Sequence, residues 1–275
     1  MAIKDLLLHI DTSDRGAGVG DFALSLATEM GAHLTAAGVV LEIVPPASFM
    51  GEYPYDIMAE AIEQARKTAE QGYQRIAAAA PATVQTELVI IQAIAGQARE
   101  DFGRLARHFD LSIVGQGGEE GGGDDELMAE GALFASGKPV FIVPNIHKGP
   151  ARLGKAMVCW DGGINAARAI AGSIDLLKRA GRVEVVSIAD RNASHDDLPG
   201  FNITRHLTRH GISATLKKLP AAQDVGETLL SYAADSGADF MVMGAYGHSR
   251  LREFVLGGTT RTILNSMTIP VLMAH

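Results

Sequence analysis

The sequence contains an internal repeat, and this repeat constrains the fold more than any other feature of the sequence. Three strand patterns recur in the same order: one that ends on Asp, one that is led by Asp and closes on Gly, and one with Pro at its second residue. The three pairs are Lys4–Asp11 with Lys155–Asp161, Phe109–Gly115 with Ala238–Gly244, and Lys138–Val143 with Ile269–Ala274. Because each copy is close to ordinary domain size, the repeat predicts two domains of the same fold.

A segment rich in Pro and Gly, without apolar periodicity, separates the two copies. We therefore predict a first domain over residues 1–144, a linker over 145–153 and a second domain over 154–275. In the second copy, strand patterns alternate with helical patterns, and we expect Asn165 and Gly181 to cap the first helix at its two ends. This alternation implies parallel βαβ crossovers, which form an α/β fold with helices on both faces of the sheet.

Composition and charge exclude several classes of protein. With 47% hydrophobic and 20% charged residues, the chain is globular, and a net charge of −8 without a run of Lys and Arg argues against a nucleic-acid surface. No apolar run reaches the roughly 18 residues that span a bilayer, so no membrane contact is expected. The chain opens with MAIKDLLLHID, which charge interrupts too soon for a signal peptide, so we expect a cytoplasmic protein. The single cysteine, Cys159, excludes an internal disulfide and is expected to be a small buried residue.

Candidate ligand-binding residues concentrate in the stretch 244–260, which directly follows the apolar run Phe240–Met243. Its glycines allow backbone N–H groups to approach a ligand without a Cβ in the way. A helix that begins near Thr259 or Thr260 would add free N–H donors, and these favour phosphate. The same glycines also fit a second interpretation, in which they only turn the chain between strand and helix. The glycines are Gly244, Gly247, Gly257 and Gly258.

Their spacing is Gly, two residues, Gly, nine residues, Gly, just before a last helix and a last strand. It resembles the phosphate-binding signature of the universal stress protein family, in its ATP-binding branch, and the resemblance covers nearly the whole chain. The resemblance implies two tandem Rossmann-like domains related by a pseudo-two-fold axis, each a five-stranded parallel sheet of order 3-2-1-4-5. Family members pair their last strands across a dimer. Pro139–Val143 and Pro270–Met273 should therefore pair within this chain as an intramolecular pseudo-dimer, and a homodimer of whole chains stays open.

The resemblance also implies a bound ATP, possibly with Mg²⁺, in the second domain, beyond the carboxyl ends of the first and fourth strands. It assigns Asp161 and the backbone of Val186 to the adenine, and the glycine loop to the ribose and phosphates. The family pattern closes with Ser or Thr directly after the third glycine, where this chain has Gly258. From the residues alone, Asp161 also fits an ordinary turn after a strand. The implied contact residues are Asp161, Val186, Gly244, Gly247, His248, Gly257, Gly258, Thr259 and Thr260.

The first copy keeps Asp11 and Gly115 but replaces the glycine loop by QGGEEGGGDDE. Five carboxylates there would repel a triphosphate, so we expect the first domain not to bind nucleotide. Segment 117–126 is expected to be a solvated loop, with a metal-chelating loop as the alternative. The first copy is also longer, mainly over Val44–Ile76, which predicts either a loop and helix packed on the domain or a lid over a ligand.

Other known catalytic and nucleotide-binding motifs are incomplete or absent in the sequence. Gly131–Lys138 imitates a P-loop but has one residue too many between its glycines, and Pro139 follows it. No Ser–His–Asp arrangement, zinc-ligand spacing or dinucleotide fingerprint is present in the sequence. The function that the resemblance implies is nucleotide-dependent regulation in the stress response, with ATP as a ligand and with unknown protein partners. The alternatives are a slow ATP hydrolase and a nucleotide-free protein-interaction scaffold.

Overall fold

A computed structural model describes residues 2–10, 16–42, 55–94, 96–117, 124–189, 202–220, 223–246 and 258–275. Helices and strands alternate along both halves. The first half contains β1 (Asp5–His9), α1 (Gly16–Met30), β2 (His33–Glu42), α2 (Tyr55–Ala79), β3 (Thr86–Ile94), α3 (Ala98–Ala106), β4 (Leu111–Gly115), α4 (Asp124–Ala135) and β5 (Val140–Val143). The second half contains β6 (Lys155–Cys159), α5 (Ile164–Arg179), β7 (Arg182–Ile188), α6 (Ile203–Arg209), β8 (Ala214–Leu219), α7 (Val225–Ser236), β9 (Phe240–Gly244), α8 (Gly258–Ser266) and β10 (Val271–Ala274).

These strands form one sheet in the order β3-β2-β1-β4-β5-β10-β9-β6-β7-β8. Each half therefore has its own strands in the order 3-2-1-4-5, and neighbours within a half are parallel. At the junction, which we call the seam, β5 and β10 are antiparallel and Phe141 pairs with Leu272. The α/β fold with two copies of this strand order is confirmed, as is the pairing of the two last strands. The bounds of the domains and of the linker stay predictions.

Apolar layers cover both faces of the sheet and continue across the seam. One layer lies beneath α1 and α5, and the other lies beneath α3, α4, α7 and α8. Phe141 is fully buried at the seam, and its ring packs edge-on against Phe22 of the first half at 5.2 Å. On the other side it meets Phe240 of the second half at 6.0 Å. The two halves thus share their cores.

The Asp that leads the fourth strand has the same structural role in both halves. Asp110 Oδ2 accepts the N–H groups of Lys4 and Asp5 at 2.7 and 3.1 Å, and Asp239 Oδ2 accepts the N–H of Lys155 at 2.7 Å. Each carboxylate thereby ties the start of the first strand of its half to the fourth. Because these bonds lie at the amino ends of the strands, this repeated motif is structural and lies away from the carboxyl edge.

Both predicted caps of α5 are wrong. The N-cap is Gly163, and Asn165 lies inside the first turn, where its amide Nδ2 donates to the carbonyl of Ala245 at 2.6 Å. The C-cap is Ala180, in an extended conformation, with Gly181 beyond it. The side chain of Asn165 makes a tertiary hydrogen bond instead of a local one, and a helix start can take Gly at its N-cap.

Of the long segment Val44–Ile76, the structure describes the part from residue 55 onward, which is helix α2. This helix packs on β2 so closely that a Cβ on Gly38 would lie 2.6 Å from the Cβ of Ala69. The helical part is therefore packed on its own domain. This agrees with the prediction of a loop and helix packed on the domain. Residues 43–54, to which the lid hypothesis also applies, lie outside the described residues. No helix in the described part of the chain is long and apolar enough to cross a membrane.

Candidate functional site

Asp161 follows β6 at the carboxyl edge of the sheet, and its side chain is exposed. Its Oδ1 accepts the N–H of Gly163 at 2.8 Å, across Gly162, which has a φ of +75°. This is an Asx-type turn in which glycine provides the left-handed residue. The turn role foreseen for Asp161 is therefore present, and the same turn holds its carboxylate at the edge where a ligand would bind.

Val186 lies on β7, the strand next to β6, with its side chain buried. Its carbonyl oxygen accepts the N–H of Trp160 at 2.8 Å, so this backbone group already has a protein partner. Trp160 is the single tryptophan of the chain and directly precedes Asp161. Val186 on β7 therefore lies close to the segment that follows β6, where Trp160 can report by fluorescence on binding at Asp161.

Gly244 ends β9, and its lack of a side chain is required by packing. A Cβ at this position would lie 2.4 Å from the backbone nitrogen of Ala166 and 2.6 Å from the carbonyl carbon of Asn165. Both atoms belong to the backbone at the start of α5, so neither can rotate away. Glycine is explained here by the close approach of a helix, with no ligand needed.

Residues Gly258, Thr259 and Thr260 form the first turn of α8. Among the described residues, no atom lies within 4 Å of a Cβ placed on Gly258. Thr260 is only 3% exposed, and its Oγ1 accepts the N–H of Tyr246 at 3.2 Å. The structure thus brings the end of β9 and the start of α8 together. Gly247, His248 and Gly257 lie between these two ends, outside the described residues.

Tyr246 is a residue that the sequence analysis missed. It has a φ of +59°, the single positive value among the described non-glycine residues. Its ring lies 4.8 Å from that of Phe134 in α4 and 6.2 Å from that of His275. Burial raises the pKa of the Tyr246 phenol, and the charges of Glu130 and Glu126 add to the effect, so the phenol stays protonated at neutral pH. The one feature of the sequence that could have indicated Tyr246 is its position between Gly244 and Gly247.

Cys159 ends β6 and is partly buried, less than the sequence analysis expected. Burial of the thiol raises its pKa to about 12, and the negative charge of Asp161 adds to this shift. Since the thiolate is the reactive form, the thiol is unreactive at neutral pH. Cys159 therefore contributes packing beside Asp161 and no nucleophile.

The matching edge of the first half is filled by a buried polar pair. His9 Nδ1 and Asp125 Oδ1 lie 2.6 Å apart, and both residues are buried. A Cβ on Gly115 would lie 2.6 Å from Asp125 Oδ2, so this carboxylate occupies the space at the end of β4. The first turn of α4 carries Asp124, Asp125 and Glu126, whereas the first turn of α8 has no acidic residue. The acidic residues are evident from the sequence, but their histidine partner is not.

Comparison with known proteins gives one family. Residues 153–275 match the family model described as the universal stress protein family. The chain is 24% identical to a universal stress protein of Synechocystis sp., over 98% of this chain and 99% of that protein.

Two solved structures share the fold. One is a universal stress protein from Archaeoglobus fulgidus DSM 4304, with a TM-score of 0.72 and 18% identity over 98% of this chain and 95% of that one. The other is a functionally unknown protein from Pseudomonas aeruginosa PAO1, with a TM-score of 0.55 and 16% identity over 99% of this chain and 92% of that one. At such identities the structural similarity establishes the fold alone.

Proposed function

We propose, from the premise that this chain belongs to the universal stress protein family, that it is a regulatory protein of the stress response that binds ATP as a ligand in its second half. The family model matches residues 153–275, which is the half that carries the glycine spacing. The proposal includes a cytoplasmic location and regulation through protein partners rather than nucleic acid.

The observation that carries this proposal is the contrast between the first turns of two corresponding helices. Both α4 and α8 follow the fourth strand of their half. The first turn of α4 holds three carboxylates, and one of them fills the space beside Gly115. The first turn of α8 holds no acidic residue, and no described residue comes within 4 Å of a Cβ placed on Gly258. Since free N–H groups and the helix dipole at a helix start favour anions, the second half suits phosphate and the first half repels it.

The described residues of the second half also fit the other parts of ATP. Asp161 presents an exposed carboxylate at the carboxyl edge, where it would accept a hydrogen bond from the adenine amino group. Because Oδ1 already accepts the N–H of Gly163, the ligand would bind at Oδ2. Gly258 leaves room for phosphate at the start of α8. A Mg²⁺ ion would bind mainly through phosphate oxygens and water, as is usual for this cation.

We expect one ATP to bind per chain, because only the second half combines an exposed Asp with a helix start free of acidic residues. Isothermal titration calorimetry gives the stoichiometry, and Trp160 fluorescence reports binding beside Asp161. Asp161→Ala should weaken ATP and adenosine alike by about 1.5–3 kcal/mol, the usual contribution of a charged hydrogen bond. The matched control is Asp11→Ala in the first half, which should leave both affinities unchanged.

Two equivalent sites, or a response to Asp11→Ala equal to that of Asp161→Ala, would contradict the assignment to the second half. Absence of binding would leave the scaffold hypothesis. Turnover of ATP near one per second that depends on Asp161 would make the protein an ATP hydrolase instead.

A further inference from the structure

We propose that Phe134, a residue of the first half, is a positioning residue for the carboxyl end of β9 in the second half, where it holds Tyr246 in the left-handed conformation and thereby supports phosphate binding. This inference rests on the proposed function, because phosphate is assigned there to the start of α8, which Tyr246 contacts through Thr260. Through Phe134, the first half contributes to ATP binding by the second half, although its own carboxyl edge is filled by carboxylates.

The contact crosses the seam through three aromatic rings. Phe134 lies on α4, and its ring centroid is 4.8 Å from that of Tyr246 at an interplanar angle of 47°. The imidazole of His275, the last residue of the chain, packs edge-on against Phe134, also at 4.8 Å. Such distances and tilted geometries are favourable between aromatic rings. The ring of Tyr246 is therefore held by a helix of the other half.

The conformation of Tyr246 is one that needs such support. Its φ of +59° brings the Cβ of an L-residue too close to its own backbone, which is why glycine normally occupies this region. Residues in this conformation persist when the surrounding structure over-determines them. A partner that anchors the ring of Tyr246 therefore stabilises the backbone angle as well.

The second half contributes its own contacts on either side of the same peptide. The N–H of Tyr246 donates to Oγ1 of Thr260, and the carbonyl of Ala245 accepts from Nδ2 of Asn165 at 2.6 Å. Nδ1 of His275 lies 3.1 Å from that carbonyl. These bonds fix the peptide between Ala245 and Tyr246, while Phe134 contacts the side chain of Tyr246. The remaining freedom, rotation about φ, is what the aromatic contact restrains.

The position of Tyr246 explains why its angle matters for binding. It lies directly before Gly247, so its φ sets the direction in which the chain leaves β9 towards the loop. Backbone N–H groups bind phosphate only when they point at it, and a preorganised loop binds more tightly than one that must first reorient. Phe134 therefore acts on phosphate affinity without contacting the nucleotide.

The test is Phe134→Ala, compared with Leu127→Ala as a matched control on the same helix. The two side chains are similarly exposed, at 47% and 43%, so neither change removes a buried core residue. We expect Phe134→Ala to lower ATP affinity about tenfold, within the usual range for coupling between sites, and adenosine affinity less than about twofold. Leu127→Ala should leave both unchanged. A loss that came from general destabilisation would affect the two ligands equally.

A second variant tests the mechanism by rescue. Glycine adopts a positive φ freely, so Tyr246→Gly removes the need for a restraint. In the Tyr246→Gly background, Phe134→Ala should cost less than about twofold in ATP affinity, as a double-mutant cycle would measure. Unchanged ATP affinity in Phe134→Ala, an equal loss for adenosine, or a full loss that persists beside Tyr246→Gly would each overturn the proposal.

A third measurement separates this inference from the proposed function. The ¹³Cα and ¹³Cβ chemical shifts of Tyr246, recorded without nucleotide, report its backbone angle directly. They should move away from left-handed values in Phe134→Ala but not in Leu127→Ala. If the parent protein binds no ATP, the proposed function fails, and shifts that still move support the contact between Phe134 and Tyr246. Shifts that do not move overturn it.

Discussion

At the scale of single residues, Gly244 at the end of β9 and Gly258 at the start of α8 have opposite surroundings. Gly244 lies against the backbone at the start of α5, with no room for a Cβ, whereas a Cβ on Gly258 at the start of α8 would meet no part of the described chain within 4 Å. Neither has the positive φ that would itself demand glycine. Glycine at 244 is thus required by packing, while nothing in the described structure requires glycine at 258.

We predict that Gly258→Ser will keep the stability of the parent and will strengthen ATP binding by about tenfold. A serine hydroxyl at the helix start would donate to a phosphate oxygen, and a hydrogen bond to a charged group contributes about 1.5–3 kcal/mol before the cost of ordering the side chain. Adenosine, which has no phosphate, should bind with unchanged affinity. Calorimetry with both ligands measures the difference.

The matched control is Gly244→Ala, which adds fewer atoms but adds them against backbone. Helix α5 has to shift, and overpacking of this kind costs about 1–3 kcal/mol. Urea unfolding followed by circular dichroism measures that loss. Equal stability of the two variants would show that the packing explanation of Gly244 is wrong, and weaker ATP binding by Gly258→Ser would argue against phosphate at that position.

At the scale of elements, the segment predicted as a linker packs against helix α1. The imidazole of His147 lies edge-on to Phe22 at 5.5 Å, and its Nε2 is 3.1 Å from the carbonyl of Gly149. The N–H of Ala151 donates to Oγ of Ser25 at 2.6 Å. A Cβ on Gly18 would lie 2.5 Å from the carbonyl oxygen of His147. The segment therefore forms part of the first half's surface packing.

This packing predicts a pH dependence of stability. Burial lowers the pKa of His147 below its usual 6.5, and the charge of Arg152 adds to this, although the Gly149 carbonyl and Asp21 oppose it. The unfolded state then takes up its proton first as the pH falls. The free energy of unfolding should therefore fall from pH 6.5 downwards and level off below the folded-state pKa.

His147→Phe tests this because phenylalanine keeps a ring against Phe22 and cannot titrate. Urea unfolding of the parent and the variant between pH 8 and pH 5 isolates the contribution of this one group, since all other titrations are shared. The difference in stability between the two proteins should shift in favour of the variant as the pH falls below 6.5. A constant difference across this range would contradict the assignment.

At the scale of the whole molecule, the seam makes the two halves one cooperative unit. Phe141 of β5 pairs with Leu272 of β10 and contacts Phe22 and Phe240, so its side chain lies in the core of both halves. We predict that Phe141→Ala will destabilise the protein by about 3–5 kcal/mol, the usual cost of removing a buried aromatic ring. Both halves should lose stability together, in one unfolding transition.

Native-state hydrogen exchange measures this prediction residue by residue. The most protected amides of β1 and of β6 should lose protection by the same amount in Phe141→Ala, because they exchange through the same global unfolding. Phe102→Ala serves as a comparison, since Phe102 is equally buried but packs within the first half beside His9. Loss of protection confined to β1 in Phe141→Ala would show that the halves unfold independently.

Sequence pattern alone determined the architecture of this protein. The repeat predicted two copies of one fold, and the alternation of strands and helices predicted the α/β class. Local chemistry also accounts for both ends of α7, where Asp224 accepts the N–H of Glu227 at the start and Gly237 ends the helix with a φ of +65°. These properties depend on hydrogen bonds and side-chain periodicity within a few residues, so a single stretch of sequence carries them.

The tertiary structure decided which local signals were overridden. Asn165 bonds to Ala245, 80 residues away, instead of capping its own helix. His9 pairs with Asp125, which lies 116 residues further along the chain, and this pair fills the carboxyl edge of the first half. Gly244 is required by the close approach of the α5 backbone. Tyr246 keeps its positive φ beside Phe134 of the other half. Each role depends on which distant residue folding brings within a few ångströms, and no local pattern encodes that neighbour.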